Sequence, residues 1–198
     1  IGLPMKFDSI QYEVMGRLLY VQLDEGIKYN IHEYVLYNPE AGYAWLSEDR
    51  GHFNLSKVSH VRPSIPVGCS AKQKVLVGGE TFKMFERGKV TLMWVDGALP
   101  WRAVVGEETI FTHLIKPPEC IDEEITGKEV EVFRGRYVSP DEMRKAVPEG
   151  VSLPVASGIN SCQPYVPGWT ARIEKIGTFF LVLNLLLFFY SLMADKKI

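Results

Sequence analysis

The sequence has few of the residues from which a chemistry is usually recognised. Its 198 residues include only three cysteines, Cys69, Cys120 and Cys162, which are far apart and form no CxxC pair. This pattern indicates neither a disulfide framework nor a zinc ribbon, and it favours a reducing compartment. Lysine and arginine number 22 against 24 aspartate and glutamate, without a basic run. We therefore expect no nucleic-acid partner.

Catalytic and cofactor motifs are missing as well. His32 and Glu33 begin like the zinc-binding HExxH helix, but Leu36 stands where the second histidine is needed. Gly78 and Gly79 precede a strand pattern, so they do not form a phosphate loop at the start of a helix. We predict no catalytic residue, no cofactor and no metal ligand.

Two weaker chemical alternatives remain open. His52, His60 and His113 could converge on a metal, although a zinc site needs three or four ligands and the spacing does not demand one. Cys120 has no assigned base partner, so an inert core cysteine is favoured over a nucleophile.

Up to about residue 138, apolar and polar residues alternate with a period of two. Glycine, proline, asparagine and aspartate separate the alternating stretches, as antiparallel hairpins require. The fold class predicted is mainly β, an antiparallel meander forming one or two small barrel-like or sandwich-like units. The predicted strands cover residues 12–23, 29–37, 43–46, 52–61, 81–95, 101–105, 109–115 and 128–138.

The predicted domain organisation has four parts: a first β unit (1–66), a second β unit (67–147), a linker (148–168) and a transmembrane segment with its flanks (169–197). Trp45 and Trp101 are each followed by a polar turn, a strand, a histidine and a proline. An internal duplication would explain this echo, and so would the reuse of common devices in a β meander.

One short helix is predicted at Ser139–Val147. Ser139 is a favourable N-cap, Pro140 stands at the first helical position, and Pro148 ends the pattern. The following stretch to Gly168 is rich in proline, glycine, serine and asparagine, which is typical of a linker.

Near the end of the chain lies a run of 18 residues without a charge, IGTFFLVLNLLLFFYSLM. At about 1.5 Å per residue, a helix of this length spans nearly the hydrocarbon thickness of a bilayer. We predict a single-pass transmembrane helix, with the β part on the cytoplasmic side of an inner membrane. The residues taken to form the span are Ile176, Phe179, Phe180, Leu183, Asn184, Leu187, Phe188 and Met193.

Asn184 is the one amide within that run. An amide inside a bilayer is costly unless it finds a partner. Asn184 either faces a second helix, from this protein or a neighbouring subunit, or hydrogen-bonds its own backbone. Because the chain begins at Ile1 and not at methionine, we also expect it to be part of a longer protein.

Several motifs in order resemble one protein family. HEYVLYNPEAGYAWLSEDRGHF (32–53), GALPWRAVVGEE (97–108) and the stretch 114–147 resemble the bacterial domain of unknown function 4178. The resemblance covers about residues 7–150, and it departs from the usual pattern in Phe53, where tryptophan is common. It implies a bacterial protein with C-terminal membrane helices and an N-terminal zinc ribbon, whose cysteines are missing from this sequence. Some members are found near genes resembling those of polyamine synthesis.

Two functions are left open. The first is a non-enzymatic, membrane-anchored scaffold within a larger assembly, with a protein partner or self-association through the membrane helix. The second is a binding module or enzyme for a small cationic, polyamine-like metabolite or a lipid, held in an aromatic and acidic pocket. The candidate pocket residues are Tyr43, Trp45, His52, Trp101 and Glu107. A deep pocket joining a tryptophan to two or more carboxylates would favour the second function, and a filled interior the first.

Overall fold

The computed structural model describes residues 1–164, which form one compact unit. It consists of eleven strands followed by one helix. The elements are β1 (Pro4–Phe7), β2 (Ile10–Asp24), β3 (Ile27–Asn38), β4 (Gly42–Asp49), β5 (His52–Val58), β6 (Pro63–Ser64), β7 (Lys74–Val77), β8 (Glu80–Gly97), β9 (Glu108–Lys116), β10 (Glu119–Thr126), β11 (Glu129–Val138) and α1 (Pro140–Ala146).

Eight of these strands close into an antiparallel barrel. The sheet runs β2-β3-β4-β5-β11-β10-β9-β8, and β8 pairs back onto β2 from Gln22↔Val90 to Gly16↔Gly97. At the other junction between the halves of the chain, β5 pairs with β11 from Phe53↔Val138 to Val58↔Phe133. All eight barrel strands therefore have a partner on both sides, and no barrel edge is left unpaired.

The strands β2 and β8 are long because each pairs first with a short strand outside the barrel and then continues as a barrel strand. The first part of β2 pairs with β1 outside the barrel, and a register shift between Val14 and Gly16 marks the change of partner. The first part of β8 pairs with β7 in the same way, with a shift between Met84 and Glu86. Such bulges bend a strand and redirect its side chains.

The outside of the barrel is largely covered by the chain itself. One buried cluster joins Met5 and Phe7 of β1 and Met143 of α1 to Leu36 and Leu46 on the barrel wall. A second joins Val75 and Val77 of β7 to outward-facing residues of β9, β10 and β11. Burial of apolar surface on both faces of the barrel strands stabilises the fold at roughly 25 cal/mol per Å².

The two halves of the chain repeat the same strand order. Each starts with a four-residue strand, a two-residue turn and a long bulged strand, and continues through three more barrel strands. Both turns have positive φ throughout, at Asp8 and Ser9 (48° and 67°) and at Gly78 and Gly79 (58° and 85°). The two tryptophans of the sequence echo are not equivalent, since Trp45 lies in β4 and Trp101 in the loop after β8.

The predicted fold class is confirmed as mainly β and antiparallel, and α1 is confirmed with Ser139 as its N-cap. The Ser139 hydroxyl accepts a hydrogen bond of 3.2 Å from the Glu142 amide. The strand predicted at 101–105 is wrong, because this stretch is a loop. Four strands were missed, β1, β6, β7 and β10.

The stretch predicted as a linker carries neither helix nor strand between residues 148 and 164, yet part of it contacts the barrel. Residues 155–162, here called the strap, begin at the β4–β5 turn, where the Ser157 amide donates to the Arg50 carbonyl at 2.9 Å. At the strap's other end, Cys162 is fully buried.

The predicted membrane helix and its flanks lie beyond residue 164, so Ile176–Met193 with Asn184 are outside the described residues. Within residues 1–164, no helix is both long enough and apolar enough to cross a bilayer.

A substitution at Gly97 tests how tightly β2 and β8 pack where they join. Its φ is +89°, and a Cβ there would lie 2.3 Å from the Met15 carbonyl oxygen. We expect Gly97→Ala to cost at least about 3 kcal/mol in the free energy of unfolding, as left-handed strain and steric overlap add. Gly26→Ala is the matched control, since φ is +82° with open space around the Cβ. It should cost only about 1–2 kcal/mol. Urea unfolding measures both, and equal losses would contradict a tightly packed junction.

Candidate ligand-binding cavity

The barrel encloses a cavity of about 410 Å³. Its wall is formed by inward-facing side chains of the barrel strands together with the end of the strap. Six aromatic residues line it: Tyr20, Tyr29, Trp45, Phe85, Phe111 and Phe133. Six carboxylates line it as well: Asp24, Glu33, Asp49, Glu86, Asp122 and Glu124. The volume falls in the range of small-molecule sites.

The strand registers explain why acidic and aromatic groups meet in this cavity. Asp122 of β10 stands opposite His113 of β9 on one side and Phe133 of β11 on the other. One pair further along, Glu124 stands between Phe111 and Glu131. Directly opposed side chains in a sheet lie on the same face and touch, so β10 contributes two inward carboxylates flanked by aromatic rings.

The inward carboxylates disfavour one another's charge. Burial raises the pKa of Glu33 to about 7, and the neighbouring Asp122 and Glu131 add to the shift. Burial also raises the pKa of Glu124 well above its ordinary value, with Glu33, Asp122 and Glu131 contributing. Removal from water and like-charge neighbours both favour the neutral acid. At neutral pH this cluster therefore holds protons that solvent-exposed carboxyl groups would have released.

The Tyr20 phenol lies near the same carboxylates. Burial raises its pKa, and Glu33, Glu124, Glu107 and Glu131 raise it further. Tyr20 thus stays a neutral hydrogen-bonding group on the cavity wall.

Basic groups on the cavity wall are few and already engaged. Within the lining, Arg50 pairs with Asp49 at 3.3 Å between Nε and Oδ2, and the arginine side chain is half exposed. His113 pairs with Asp122 at 2.5 Å between Nδ1 and Oδ1. Glu86 accepts a short hydrogen bond from the Gln22 amide. Of the three remaining carboxylates, Glu33 and Glu124 have acidic neighbours, and Asp24 lies at the exposed end of β2.

His113 is the centre of a second polar group at the cavity wall. Its Nε2 lies 2.8 Å from the Ser161 hydroxyl and 3.5 Å from the Cys162 sulfur. Burial opposes the charged imidazole, but the attraction and hydrogen bond of Asp122 outweigh it and raise the pKa of His113 well above its ordinary value. His113 therefore carries a proton at neutral pH.

The residues predicted for a pocket are only partly brought together. Trp45 lines the cavity. Trp101 and Tyr43 are outside the lining and pack against the Trp45 ring, at centroid distances of 6.4 Å and 6.3 Å. His52 is buried and bonds to the Tyr137 hydroxyl at 3.1 Å, apart from the lining. Glu107 is exposed and acts on the cavity only through its charge near Tyr20.

The carboxylates that dominate the cavity were missed. Asp122 and Glu124 were not among the candidate pocket residues, yet both are inward residues of β10. The signal was present: acidic residues at every second position of a strand share one face. Among residues 1–164, no cluster of three or more His, Cys, Asp or Glu side chains is arranged to hold a metal ion.

The acidic cluster makes a prediction about stability and pH. A carboxyl group whose folded-state pKa is raised stabilises the fold below its unfolded pKa, and this contribution is lost as pH rises through the folded value. For Glu33 the loss falls between about pH 4.5 and 7. We expect Glu33→Gln to match the wild type near pH 5 and to become the more stable protein above pH 7, by urea midpoints measured from pH 5 to 9.

Glu123→Gln is the matched control, because Glu123 lies on β10 between Asp122 and Glu124 and faces the opposite side of the sheet. Its stability relative to the wild type should not follow the same trend. A constant difference between Glu33→Gln and wild type across the series would contradict a desolvated acidic cluster.

Among the comparisons with known proteins, the one with family models gives a match. No curated protein and no solved structure matches the chain. The model of the family described as "Domain of unknown function (DUF4178)" matches residues 1–140, which include all eleven strands. The chain therefore belongs to the DUF4178 family.

Proposed function

We propose that the barrel binds a small aliphatic oligoamine, a molecule with two or more ammonium groups separated by methylene chains. The observation that carries this proposal is the excess of inward carboxylates over cations. Six carboxylates line the cavity, against Arg50 and His113, each of which is already paired with a carboxylate of its own.

The charge state of the cavity favours a polycation. Glu33 and Glu124 keep protons because burial, and then the repulsion of neighbouring carboxylates, raises the pKa of each. An ammonium group entering between them would reverse that penalty, since an opposite charge within about 4–6 Å favours ionisation. Two or more ammonium groups would balance the cluster more completely than one.

The wall and the volume limit what else the ligand can be. The aromatic faces of Trp45, Phe111 and Phe133 suit methylene groups and contribute cation–π attraction to ammonium groups. A volume of about 410 Å³ admits a small molecule but is too small for a folded or extended protein segment.

Two buried acceptor atoms support a ligand rich in N–H donors. Among the described residues, Asp49 Oδ1 and Asn54 Oδ1 are buried without a hydrogen-bond partner, and both residues line the cavity. An unsatisfied buried acceptor costs about 1–3 kcal/mol, which a donor from the ligand would recover.

The scaffold hypothesis receives less support, because its criterion was a filled barrel interior. The open cavity joins Trp45 to several carboxylates and so meets the criterion set for the binding hypothesis. The predicted span, Ile176–Met193, would tether the binding barrel to a membrane. This part of the proposal rests on the sequence alone.

Calorimetry on the full chain tests the binding proposal with spermidine and 1,4-diaminobutane as ligands. We expect saturable binding of one ligand per chain, and no binding of 1,4-butanediol, which has the same length without the charges. Binding should tighten from pH 6 to pH 8, because the protons on Glu33 and Glu124 oppose it. Repeating the titration in buffers of different ionisation enthalpy measures the protons released.

Glu33→Gln and Glu124→Gln should each weaken binding at least about tenfold, since each removes a charged hydrogen-bond partner worth about 1.5–3 kcal/mol. Glu123→Gln should bind as the wild type does, because its side chain faces away from the cavity. Equal weakening by all three variants would indicate general charge attraction at the surface, and absence of binding by the wild type would overturn the proposal.

A further inference from the structure

A second site lies where the strap meets the barrel wall, and it is built from two cysteines. Cys162 at the end of the strap and Cys120 on β10 are buried in one small cluster with Tyr137. The two thiols are close enough that each shifts the pKa of the other, upward for Cys120 and downward for Cys162. We propose that Cys162 and Cys120 are a redox-active pair, in which a hydroperoxide oxidises Cys162 and Cys120 then closes an intramolecular disulfide.

The surroundings of Cys162 are those of a reactive thiolate. Its sulfur lies 3.5 Å from His113 Nε2 and accepts a hydrogen bond of 3.7 Å from the Ser161 hydroxyl. The neighbouring Cys120 thiol has the largest effect and His113 and Ser161 add to it, so that the pKa of Cys162 falls to about 6 against the opposing effect of burial. The thiolate is the nucleophilic form of cysteine, and a pKa of about 6 leaves most Cys162 ionised at neutral pH.

Asp122 fixes the orientation of this arrangement. It holds His113 through Nδ1 at 2.5 Å, which leaves Nε2 directed at Ser161 and Cys162. Because His113 is protonated, it cannot accept a proton from the Ser161 hydroxyl. The geometry therefore favours Cys162 over Ser161 as the nucleophile, although both touch the same nitrogen.

The two cysteines have different roles. The neighbouring Cys162 has the largest effect on Cys120 and burial adds to it, so that the pKa of the Cys120 thiol is raised well above its ordinary value. Cys120 therefore keeps its proton while Cys162 carries the charge. Gly135 stands opposite Cys120 on β11, and a Cβ there would lie 3.0 Å from the Cys120 sulfur. Because Gly135 has no side chain, Cys120 has room to reach Cys162.

The cavity provides the route for a small oxidant. Cys162 has no exposed surface, but His113 and Ser161 both contact its sulfur and both line the cavity. A hydroperoxide in the cavity is separated from the sulfur by one layer of side chains. This inference does not depend on the identity of the cavity's ligand.

The chemistry balances in two steps. The Cys162 thiolate attacks the terminal oxygen of the hydroperoxide, the O–O bond breaks, and Cys162 becomes a sulfenic acid. The peroxide is reduced to an alkoxide, or to hydroxide from hydrogen peroxide, which takes the Nε2 proton of His113 and leaves as alcohol or water. The Cys120 sulfur then attacks the sulfenic sulfur, and the Cys120 proton leaves with the hydroxyl group as water.

Mass spectrometry of the full chain, treated with hydrogen peroxide at pH 7, tests the proposal. We expect the intact mass to fall by about two hydrogens and a peptide linking Cys120 to Cys162 to appear, both reversed by dithiothreitol. Cys69, in the exposed loop before β7, serves as the internal control and should stay reduced during the same exposure. A linkage through Cys69, or oxidation of Cys69 ahead of Cys162, would overturn the pairing.

Variants separate the roles. Cys120→Ala should stop at the sulfenic acid, trapped by dimedone on Cys162, and Cys162→Ala should leave Cys120 unoxidised.

His113→Gln should slow the oxidation about tenfold at pH 7 and move the midpoint of its pH–rate profile upward, because the thiolate loses its cationic partner. An unchanged profile would remove His113 from its positioning role. Labelling of Ser161 by a fluorophosphonate in an otherwise unreactive chain would assign the nucleophile to Ser161 and overturn the proposal.

Discussion

The pairing of β2 with β8 is the interaction on which the cavity depends. Without it, the eleven strands would form one open sheet with the acidic face of β10 exposed to water. In water, Glu33 and Glu124 would ionise independently. Closure brings residues distant in sequence, such as Glu33 and Glu124, into one desolvated space. The electrostatic character of the site is therefore a property of the closed barrel and not of any single strand.

The antiparallel β class, the positions of most strands and the capped helix could be read from the sequence because these depend on local patterns. Alternation marks a strand, and Ser139 followed by Pro140 marks the start of a helix. The missed short strands β1 and β7 carry the apolar pairs Met5–Phe7 and Val75–Val77, whose partners lie far along the chain. The loop around Trp101 resembled a strand because it is apolar, but it covers Trp45 instead of joining the sheet.

The site was harder to predict for a physical reason. An acidic strand such as ECIDEEIT normally faces water, and only barrel closure turns Asp122 and Glu124 inward. The pocket was expected from aromatic residues, and of the five candidates only Trp45 lines the cavity. The cysteines were judged by spacing along the chain. Cys120 and Cys162 are separated by more than forty residues and meet because the strap returns to β10.

The repeated strand order has a consequence for how such a barrel could be assembled. The two joints between the halves are formed by corresponding strands, β2 with β8 and β5 with β11, and both pairs are antiparallel. This is the arrangement that a two-fold axis produces when identical units present the same surface to each other. Taken alone, either half would have both of its barrel edges unpaired. A chain of half the length could complete the same barrel by associating with a second copy of itself, and its cavity would then lie on the symmetry axis.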